Sequence, residues 1–182
     1  EGYGMTESSP VALGNPMGPT RRPGTVGVPF PSTEIRVVDP ADPTVDVPSG
    51  EPGELLIRGP QVFQGYWGRP GETADALLPD GWLRSGDIAQ VSSDGFVSIV
   101  DRLKELIITG GFNVSPSEVE DALIAHPDVV AAAVVGLPRP HGGEEVAAAV
   151  VLRDGAALDV DALRDFCRTR LTPYKVPRRI TA

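Results

Sequence analysis

Cysteine and histidine are the scarcest reactive side chains in this chain of 182 residues. The single cysteine, Cys167, cannot form an internal disulfide or supply a thiolate cage for zinc. The two histidines, His126 and His141, are too few for a metal site built from several imidazoles. These shortages exclude the disulfide-stabilised folds and the zinc-ribbon class of small domain.

Long apolar segments and an excess of basic charge are also missing. The longest apolar stretch, residues 129–137, is far shorter than the roughly 20 residues that cross a bilayer. With 16 Lys and Arg against 25 Asp and Glu, the net charge of −9 disfavours attraction to nucleic acid. Residues 1–3 have no basic-then-apolar leader. We therefore expect a cytoplasmic protein with no transmembrane segment and no nucleic-acid partner.

Glycine and proline, in contrast, are abundant and unevenly spread. Most of the 21 glycines and 19 prolines lie in residues 1–81, which predicts turns and hairpins there with few long helices. Aliphatic runs at residues 34–38 and 54–58 predict strands. Residues 88–91 and 96–100 predict a further pair of strands, because the Asp-Gly between them favours a tight turn. The first part of the chain is therefore predicted to be an antiparallel β unit.

Helical periodicity appears in the second part of the chain. Ser-Pro-Ser-Glu at residues 115–118 places a capping Ser, a Pro at the first helical position and a Glu three residues after the cap. That helix should stop at residues 126–127, where a proline follows. Strands are predicted at residues 129–135 and 146–152, and a second helix over residues 159–171. The order helix, strand, strand, helix predicts a small α+β unit.

Three stretches carry candidate chemistry. Gly-Tyr-Gly-Met-Thr-Glu at residues 2–7 combines an aromatic face, glycines, a hydroxyl and a carboxylate, a set that suits a nucleobase, a phosphate and a divalent cation. Residues 81–87 end in a carboxylate that could accept two hydrogen bonds from a ribose diol. Residues 101–114 contain paired glycines that leave room for a ligand chain. Taken singly, each has a structural alternative: a glycine loop, an Asx turn, and a solvated turn before a buried strand.

Together and in this order, the three stretches resemble the adenylate-forming superfamily of acyl-CoA synthetases, luciferase and the adenylation domains of peptide synthetases. The resemblance extends through Gly-Glu-Leu-Leu-Ile-Arg-Gly-Pro at residues 53–60 and Gly-Tyr-Trp at residues 65–67. It continues to Leu-Thr-Pro-Tyr-Lys-Val-Pro at residues 171–177, and therefore covers nearly the whole chain. Residues 110–120 look like the fatty-acyl-CoA synthetase branch.

The resemblance implies a reaction and its reactants. Enzymes of this superfamily activate a carboxylic acid with ATP to an acyl-adenylate, release pyrophosphate, and then pass the acyl group to the thiol of CoA. The implied substrate is a fatty acid, with ATP, Mg²⁺ and CoA as the other components. Two alternatives stay open: an adenylating enzyme that uses an acceptor other than CoA, and a non-catalytic module that binds CoA or a partner protein. A homodimer is also open.

The resemblance also implies roles for individual residues. ATP or AMP would be bound by the residues at the matching positions, which are Gly2, Tyr3, Gly4, Met5, Thr6, Asp87 and Arg102. Thr6 would touch the α-phosphate, Glu7 would hold Mg²⁺, and Asp87 would bind the ribose hydroxyls. Lys104 would be the hinge between the two catalytic arrangements. The CoA tunnel would be flanked by Gly110, Gly111 and Phe112.

Domain boundaries follow from the same resemblance. Residues 1–101 would be the C-terminal part of a large adenylation domain, residues 102–104 the hinge, and residues 105–182 a small mobile C-terminal domain. The family's glycine-rich phosphate loop would lie before residue 1, and its C-terminal catalytic lysine after residue 182. We therefore expect a C-terminal fragment, truncated before that lysine and inactive on its own.

Overall fold

The computed structural model describes residues 1–140 and 142–182, so His141 lies outside the described residues. The chain divides into two compact units, Glu1–Leu103 and Lys104–Ala182. This division falls within residues 102–104; that the stretch acts as a hinge stays a prediction. The helices and mainly antiparallel sheets of the two units confirm the predicted α+β class.

The first unit contains two antiparallel sheets. Its strands are β1 (Gly2–Gly4), β2 (Val11–Gly14), β3 (Val28–Pro29), β4 (Glu34–Val38), β5 (Gly53–Arg58), β6 (Leu83–Val91) and β7 (Val97–Arg102). One sheet has the order β1-β2-β3 and the other the order β4-β5-β6-β7. A 3-10 helix, Thr6–Ser8, follows β1, and helix α1 (Pro70–Ala76) precedes β6.

The central strand β5 is buried on both faces. Leu55 and Ile57 are fully buried and pack in one cluster with Leu13 of β2, so the two sheets share this core. The intervening Leu56 packs on the opposite face in a separate cluster with Trp82. Burial on both sides explains why this strand reads as a continuous aliphatic run and not as an alternating one.

The second unit is an α+β unit around one core. Its elements are β8 (Ile107–Thr109), β9 (Phe112–Val114), α2 (Pro116–Ile124), β10 (Val129–Pro138), β11 (Glu144–Leu152), α3 (Val160–Arg168) and β12 (Arg179–Thr181). Strands β8 and β9 form a hairpin, and the other sheet has the order β10-β11-β12. Strand β12 pairs parallel to β11. A 3-10 helix, Leu103–Glu105, precedes β8.

Both helices predicted in the second unit are confirmed, together with their caps. The hydroxyl of Ser115 accepts from the amide of Glu118 at 3.3 Å. The carboxylate of Asp159 accepts from the amide of Ala162 at 3.0 Å. Helix α3 ends at Arg168, three residues before the predicted end, although the amide of Leu171 still donates to a helical carbonyl at 2.8 Å. Helical hydrogen bonding therefore continues to Leu171, although the regular helix ends at Arg168.

The sequence does not predict several of the elements, which are the short strands β1, β2 and β3, helix α1, and strands β8, β9 and β12. Helix α1 has the sequence Pro-Gly-Glu-Thr-Ala-Asp-Ala and no buried residue. It therefore lacks the apolar stripe by which an amphipathic helix is predicted. The hairpin of β8 and β9 has strands of only three residues, as does β12. Strand β6 also begins at Leu83, before the predicted residue 88, so the candidate motif at residues 81–87 lies largely within a strand.

Candidate functional site

The first unit brings together the side chains of Tyr3, Asp87 and Arg102. The Tyr3 hydroxyl donates to Oδ2 of Asp87 at 2.5 Å. Nε of Arg102 lies 3.6 Å from Oδ1 of the same carboxylate. The Asp87 side chain is 17% exposed, whereas that of Arg102 is 72% exposed. The cluster is therefore largely buried at Asp87 and open to solvent at Arg102. One carboxylate is thus held between a neutral donor and a cation.

Strand pairing accounts for this arrangement. Asp87 of β6 and Arg102 of β7 are direct cross-strand partners, which places their side chains as neighbours on one sheet. Tyr3 comes from the other sheet, through β1, which pairs with β2. The amide of Asp87 donates to the Ser85 hydroxyl at 3.1 Å. The turn is therefore held by the serine, and the aspartate carboxylate is directed toward Tyr3 and Arg102 instead of forming an Asx turn.

The Tyr3 hydroxyl is strongly perturbed. Its burial, followed by the hydrogen bond to Asp87, raises the pKa of the phenol well above its ordinary value of 10.0. Ser85 and Arg102 act in the opposite direction but more weakly. The hydroxyl therefore keeps its proton, and remains a donor to Asp87, at alkaline pH values where an ordinary phenol ionises.

Glu7 has an aromatic partner, Tyr66, which sequence reasoning did not assign to the site. The Tyr66 hydroxyl donates to Oε1 of Glu7 at 2.7 Å, and this bond raises the pKa of the phenol. The Glu7 carbonyl accepts from the amide of Phe63 at 2.8 Å, and the Phe63 and Tyr66 rings pack edge to face at 4.8 Å. Tyr66 belongs to the Gly-Tyr-Trp stretch at residues 65–67, but no local sequence pattern indicates that Glu7 is its partner.

The loop between β1 and β2 depends on a close backbone approach. A Cβ added at Gly4 would lie 1.8 Å from the carbonyl oxygen of Pro10, so only glycine fits there. Gly2, Gly4 and Thr6 are exposed, and Ser8 is buried with its hydroxyl bonded to the carbonyls of Met5 and Pro10. The predicted phosphate-contacting hydroxyl of Thr6 is therefore open to solvent at the end of a tightly built loop.

The fit of a divalent cation to Glu7 can be judged from its oxygens. Within the part of the chain that the structure describes, no three His, Cys, Asp or Glu side chains gather into a metal site. Glu7 has one oxygen bonded to Tyr66, and its other oxygen accepts from no donor among residues 1–140 and 142–182. A single carboxylate suits Mg²⁺ when phosphate oxygens and water supply the other ligands. Glu7 fits a phosphate-dependent magnesium and not a cation held by protein alone.

The candidates of the second unit have a local structural explanation. Gly110 and Gly111 form the turn between β8 and β9, with φ of +59° and +84°. A Cβ at either position would meet nothing within 4 Å, so the glycines are required by backbone conformation and not by crowding inside the unit. Phe112 stacks on Tyr174 with ring centroids 4.4 Å apart. Lys104 is exposed within the 3-10 helix Leu103–Glu105.

Lys175, the other lysine of the chain, is engaged in an ion pair. Its Nζ donates to both carboxylate oxygens of Glu118 at 2.8 and 2.6 Å, and its side chain is 19% exposed. This pair connects the first turn of α2 to the segment before β12. Lys175 therefore has a structural role inside the second unit.

None of the helices among residues 1–140 and 142–182 combines the length and the apolar composition that crossing a bilayer requires.

Two protein-family models match the chain. The AMP-binding enzyme model matches residues 1–67, and the AMP-binding enzyme C-terminal domain matches residues 118–182. Among curated proteins, a long-chain-fatty-acid–CoA ligase of Salmonella typhimurium is 48% identical over 180 residues, covering 99% of this chain and 31% of the ligase. A feruloyl-CoA synthase of Amycolatopsis is 46% identical over 181 residues, covering 99% of this chain and 36% of the synthase. The chain thus spans about a third of the length of these relatives.

Solved structures agree with this grouping. ATP-bound MatB from Rhodopseudomonas palustris superimposes with a TM-score of 0.88 at 38% identity, over 98% of this chain and 35% of MatB. The amide bond synthetase McbA from Marinactinospora thermotolerans gives a TM-score of 0.73 at 43% identity, over 87% of this chain and 32% of McbA.

Proposed function

Because the chain belongs to the AMP-binding enzyme family, we propose that its complete protein is an ATP-dependent, AMP-forming acyl-CoA ligase. In the first half-reaction a carboxylate oxygen attacks the α-phosphorus of ATP, and pyrophosphate leaves. In the second, the thiol of CoA attacks the acyl carbon, and AMP leaves. The family relationship supports the reaction class, and the residues of this chain support its nucleotide-binding part.

The observation that carries the proposal is the triad of Tyr3, Asp87 and Arg102. Asp87 has lone pairs left beyond those used by Tyr3 and Arg102, and they can accept hydrogen bonds from the ribose hydroxyls. The guanidinium of Arg102, largely in solvent, is placed to neutralise ribose-phosphate charge. The ring of Tyr3 offers a flat face for adenine while its hydroxyl is engaged.

The remaining roles follow the family pattern and the local geometry. Thr6 and Glu7 begin the 3-10 helix one residue after the end of β1, so they extend the same strand-end site toward the phosphates. Glu7 would hold Mg²⁺ together with phosphate oxygens, and the metal would supply charge neutralisation at the α-phosphate. In the second unit, Lys104 is the hinge, and Gly110, Gly111 and Phe112 flank the path of CoA. ATP and CoA are both cytoplasmic metabolites, which agrees with the expected location.

The acid is proposed to be a fatty acid, with an aromatic acid as the second class to test. Identity to the fatty-acid ligase and to the feruloyl-CoA synthase differs by only two percentage points over this stretch, 48% against 46%. Because this stretch is about equally similar to both ligases, it supports the reaction that they share and does not indicate which carboxylic acid is the substrate. A panel of carboxylic acids is therefore the appropriate substrate set.

A second candidate is an adenylating enzyme with an amine acceptor. Its support is the similarity to the amide bond synthetase McbA, at 43% identity and a TM-score of 0.73. The two candidates share acyl-adenylate formation and differ only in the nucleophile of the second step. Product analysis with CoA and with amines distinguishes them.

The test is acid-dependent exchange of pyrophosphate into ATP by the full-length protein, followed by product analysis with CoA. We expect exchange with a fatty acid, and an acyl-CoA thioester when CoA is added. Exchange without thioester, but with amide in the presence of an amine, favours the second candidate. No exchange with any acid, despite binding of CoA, would instead support a non-catalytic binding module.

A further inference from the structure

A buried carboxylate, Glu54, lies behind the nucleotide-site residues without touching them. The Glu54 side chain is 1% exposed and belongs to the central strand β5. Arg84 donates to it from two nitrogens, with Nη2 2.6 Å from Oε2 and Nε 3.2 Å from Oε1. Oε1 of Glu54 also accepts from the backbone amide of Gly86 at 3.3 Å. This acid therefore anchors both a side chain and the residue that immediately precedes Asp87.

The anchored segment is a bulge in strand β6. Glu54 pairs with Ile88, and Leu56 pairs with Arg84. Between these two pairs, β5 has one residue and β6 has three. Residues 85–87 therefore face the single residue Leu55, which is two residues more than a regular ladder would place there, and Gly86 has φ of +72°. On the other side of β6, Asp87 remains in register with Arg102. The bulge thus changes the direction of Asp87 relative to β5 while its pairing with β7 is kept.

The anchor and the site lie on opposite faces of the sheet. By strand alternation Glu54 shares the face of Leu56, which packs in the cluster with Trp82. Tyr3 packs against the other cluster, which contains Leu55. Glu54 can therefore act on the nucleotide site only through the backbone of residues 85–87.

We propose that Glu54 is a positioning residue for nucleotide binding: together with Arg84, it holds the Gly86 amide and so fixes the bulge that directs Asp87 toward the ribose. This inference rests on the proposed function, which assigns Asp87 to the ribose. It adds a requirement that the triad alone does not contain, namely a hydrogen-bond acceptor on the far face of β5.

A gain in folding stability is a weak explanation for the presence of the buried ion pair between Glu54 and Arg84. A buried ion pair can often be replaced by apolar side chains of similar volume without loss of stability, whereas removal of one partner leaves an uncompensated charge. A paired replacement therefore separates the two roles, because it removes the acceptor for Gly86 without leaving a buried charge.

The experiment compares two double variants of the full-length protein. Glu54→Met with Arg84→Met removes both charges and the acceptor, whereas Glu54→Gln with Arg84→Met removes the charges but keeps an amide oxygen for Gly86. AMP affinity is measured by calorimetry, and folding by thermal melting. The exposed cross-strand pair Glu34 and Arg58, four residues along β5 from Glu54, is replaced by Gln at both positions as a matched control.

We expect the first double variant to fold and to bind AMP roughly tenfold more weakly, a change of about 1.4 kcal/mol. The Gln-containing variant should recover most of that affinity, and the control pair should bind like the parent. The preference for AMP over 2′-deoxy-AMP should fall only in the first variant, a readout that general destabilisation would not move. If both double variants fold and bind AMP with the parental constant, or lose affinity equally, the positioning role is wrong.

Two further variants keep the test decisive. If the first double variant does not fold, Glu54→Asp replaces it, because the shorter side chain withdraws the acceptor from Gly86 while keeping the charge. Parental AMP affinity in that folded variant would contradict the proposal. Asp87→Ala tests the underlying assignment separately: if it leaves AMP binding unchanged, the proposed ribose contact fails, whereas weak binding by Asp87→Ala with normal binding by the Glu54 variants rejects only this inference.

Discussion

The hydroxyl of Tyr3 donates a 2.5 Å hydrogen bond to the carboxylate of Asp87, although the two residues are 84 positions apart in the chain. They belong to different sheets of the first unit, so the bond connects β1 to β6. It also fixes one oxygen of the carboxylate, while Arg102 lies near the other. The geometry of the proposed ribose-binding group is thus set before a nucleotide arrives, which reduces the ordering cost of binding.

Tyr3→Phe tests the contribution of this hydroxyl. The ring and its apolar contacts are kept, but Asp87 loses a partner, so we expect the free energy of unfolding of the 182-residue chain to fall by about 1.5 kcal/mol. In the full-length protein AMP binding should weaken several-fold, because the carboxylate is no longer oriented. Urea unfolding and calorimetry measure the two effects. Parental values for both would mean that the bond is dispensable.

The same pair predicts an alkaline pH dependence. Burial and the Asp87 bond raise the pKa of Tyr3 above 10.0 in the folded state, so the folded chain retains the proton when the unfolded chain has released it. The stabilising contribution is therefore fully present below pH 10 and declines as the pH rises beyond it. Urea unfolding between pH 8 and pH 11 should show the stability gap between the parent and Tyr3→Phe narrowing only above pH 10. A gap that stays constant would contradict the assignment.

Asp87→Ala separates nucleotide binding from acid binding in the full-length protein. A ribose diol is common to ATP and AMP, and a lost charge-assisted hydrogen bond costs about 1.5–3 kcal/mol, so both nucleotides should bind about 10- to 150-fold more weakly. The affinity for the acid should change little. Calorimetric titration with each ligand measures this. Equal weakening of acid and nucleotide would indicate general damage to the site.

The sequence was informative where local signals coincide. Strand β4 has the bounds predicted from its aliphatic run, and α2 begins after the predicted Ser115 cap. The motif resemblance assigned both Tyr3 and Asp87 to the nucleotide, but their hydrogen bond depends on how two sheets pack, which no local pattern encodes. The Glu54 anchor was missed for the same reason: a glutamate in an aliphatic strand reads as an exposed position until the partner strand is known.

Ser115→Ala tests the cap of α2 in the second unit. The Ser115 hydroxyl accepts from the Glu118 amide at 3.3 Å, and loss of such a cap costs about 1 kcal/mol. We expect urea unfolding to report this loss for the second unit. Ser93→Ala, at an exposed turn position, is the matched control and should unfold like the parent. Equal stability of the two variants would show that the Ser115 hydroxyl does not stabilise the helix.

Gly111→Ala and Gly71→Ala are expected to change the free energy of unfolding in opposite directions. Both positions have open space for a Cβ, but Gly111 has φ of +84° and Gly71 lies in helix α1. Alanine at Gly111 should cost about 1–2 kcal/mol through backbone strain. Alanine at Gly71 should stabilise by about 0.5–1 kcal/mol, because the unfolded chain loses freedom. Equal shifts of the urea midpoint in the two variants would contradict the view that the turn between β8 and β9 requires glycine for its positive φ.

Lys104→Pro tests the proposed hinge in the full-length protein. Lys104 is exposed and lies at the division between the two compact units, so its side chain has little to contribute to packing. A hinge residue must change φ and ψ while its neighbours are preserved, whereas proline fixes φ near −65° and removes the amide donor. The substitution therefore restricts the backbone at this position to a narrow set of conformations.

If adenylation and thioester formation use different settings of this torsion, Lys104→Pro cannot serve both. We expect adenylate formation to remain near the parental rate and CoA thioester formation to fall by about tenfold or more. Lys104→Ala is the control, because it removes the side chain but leaves the backbone free, and it should retain both half-reactions. Single-turnover measurements of adenylate and of thioester decide the matter. Equal loss of both reactions in the proline variant would mean that Lys104 has a structural role, and no loss of either would exclude it as the hinge.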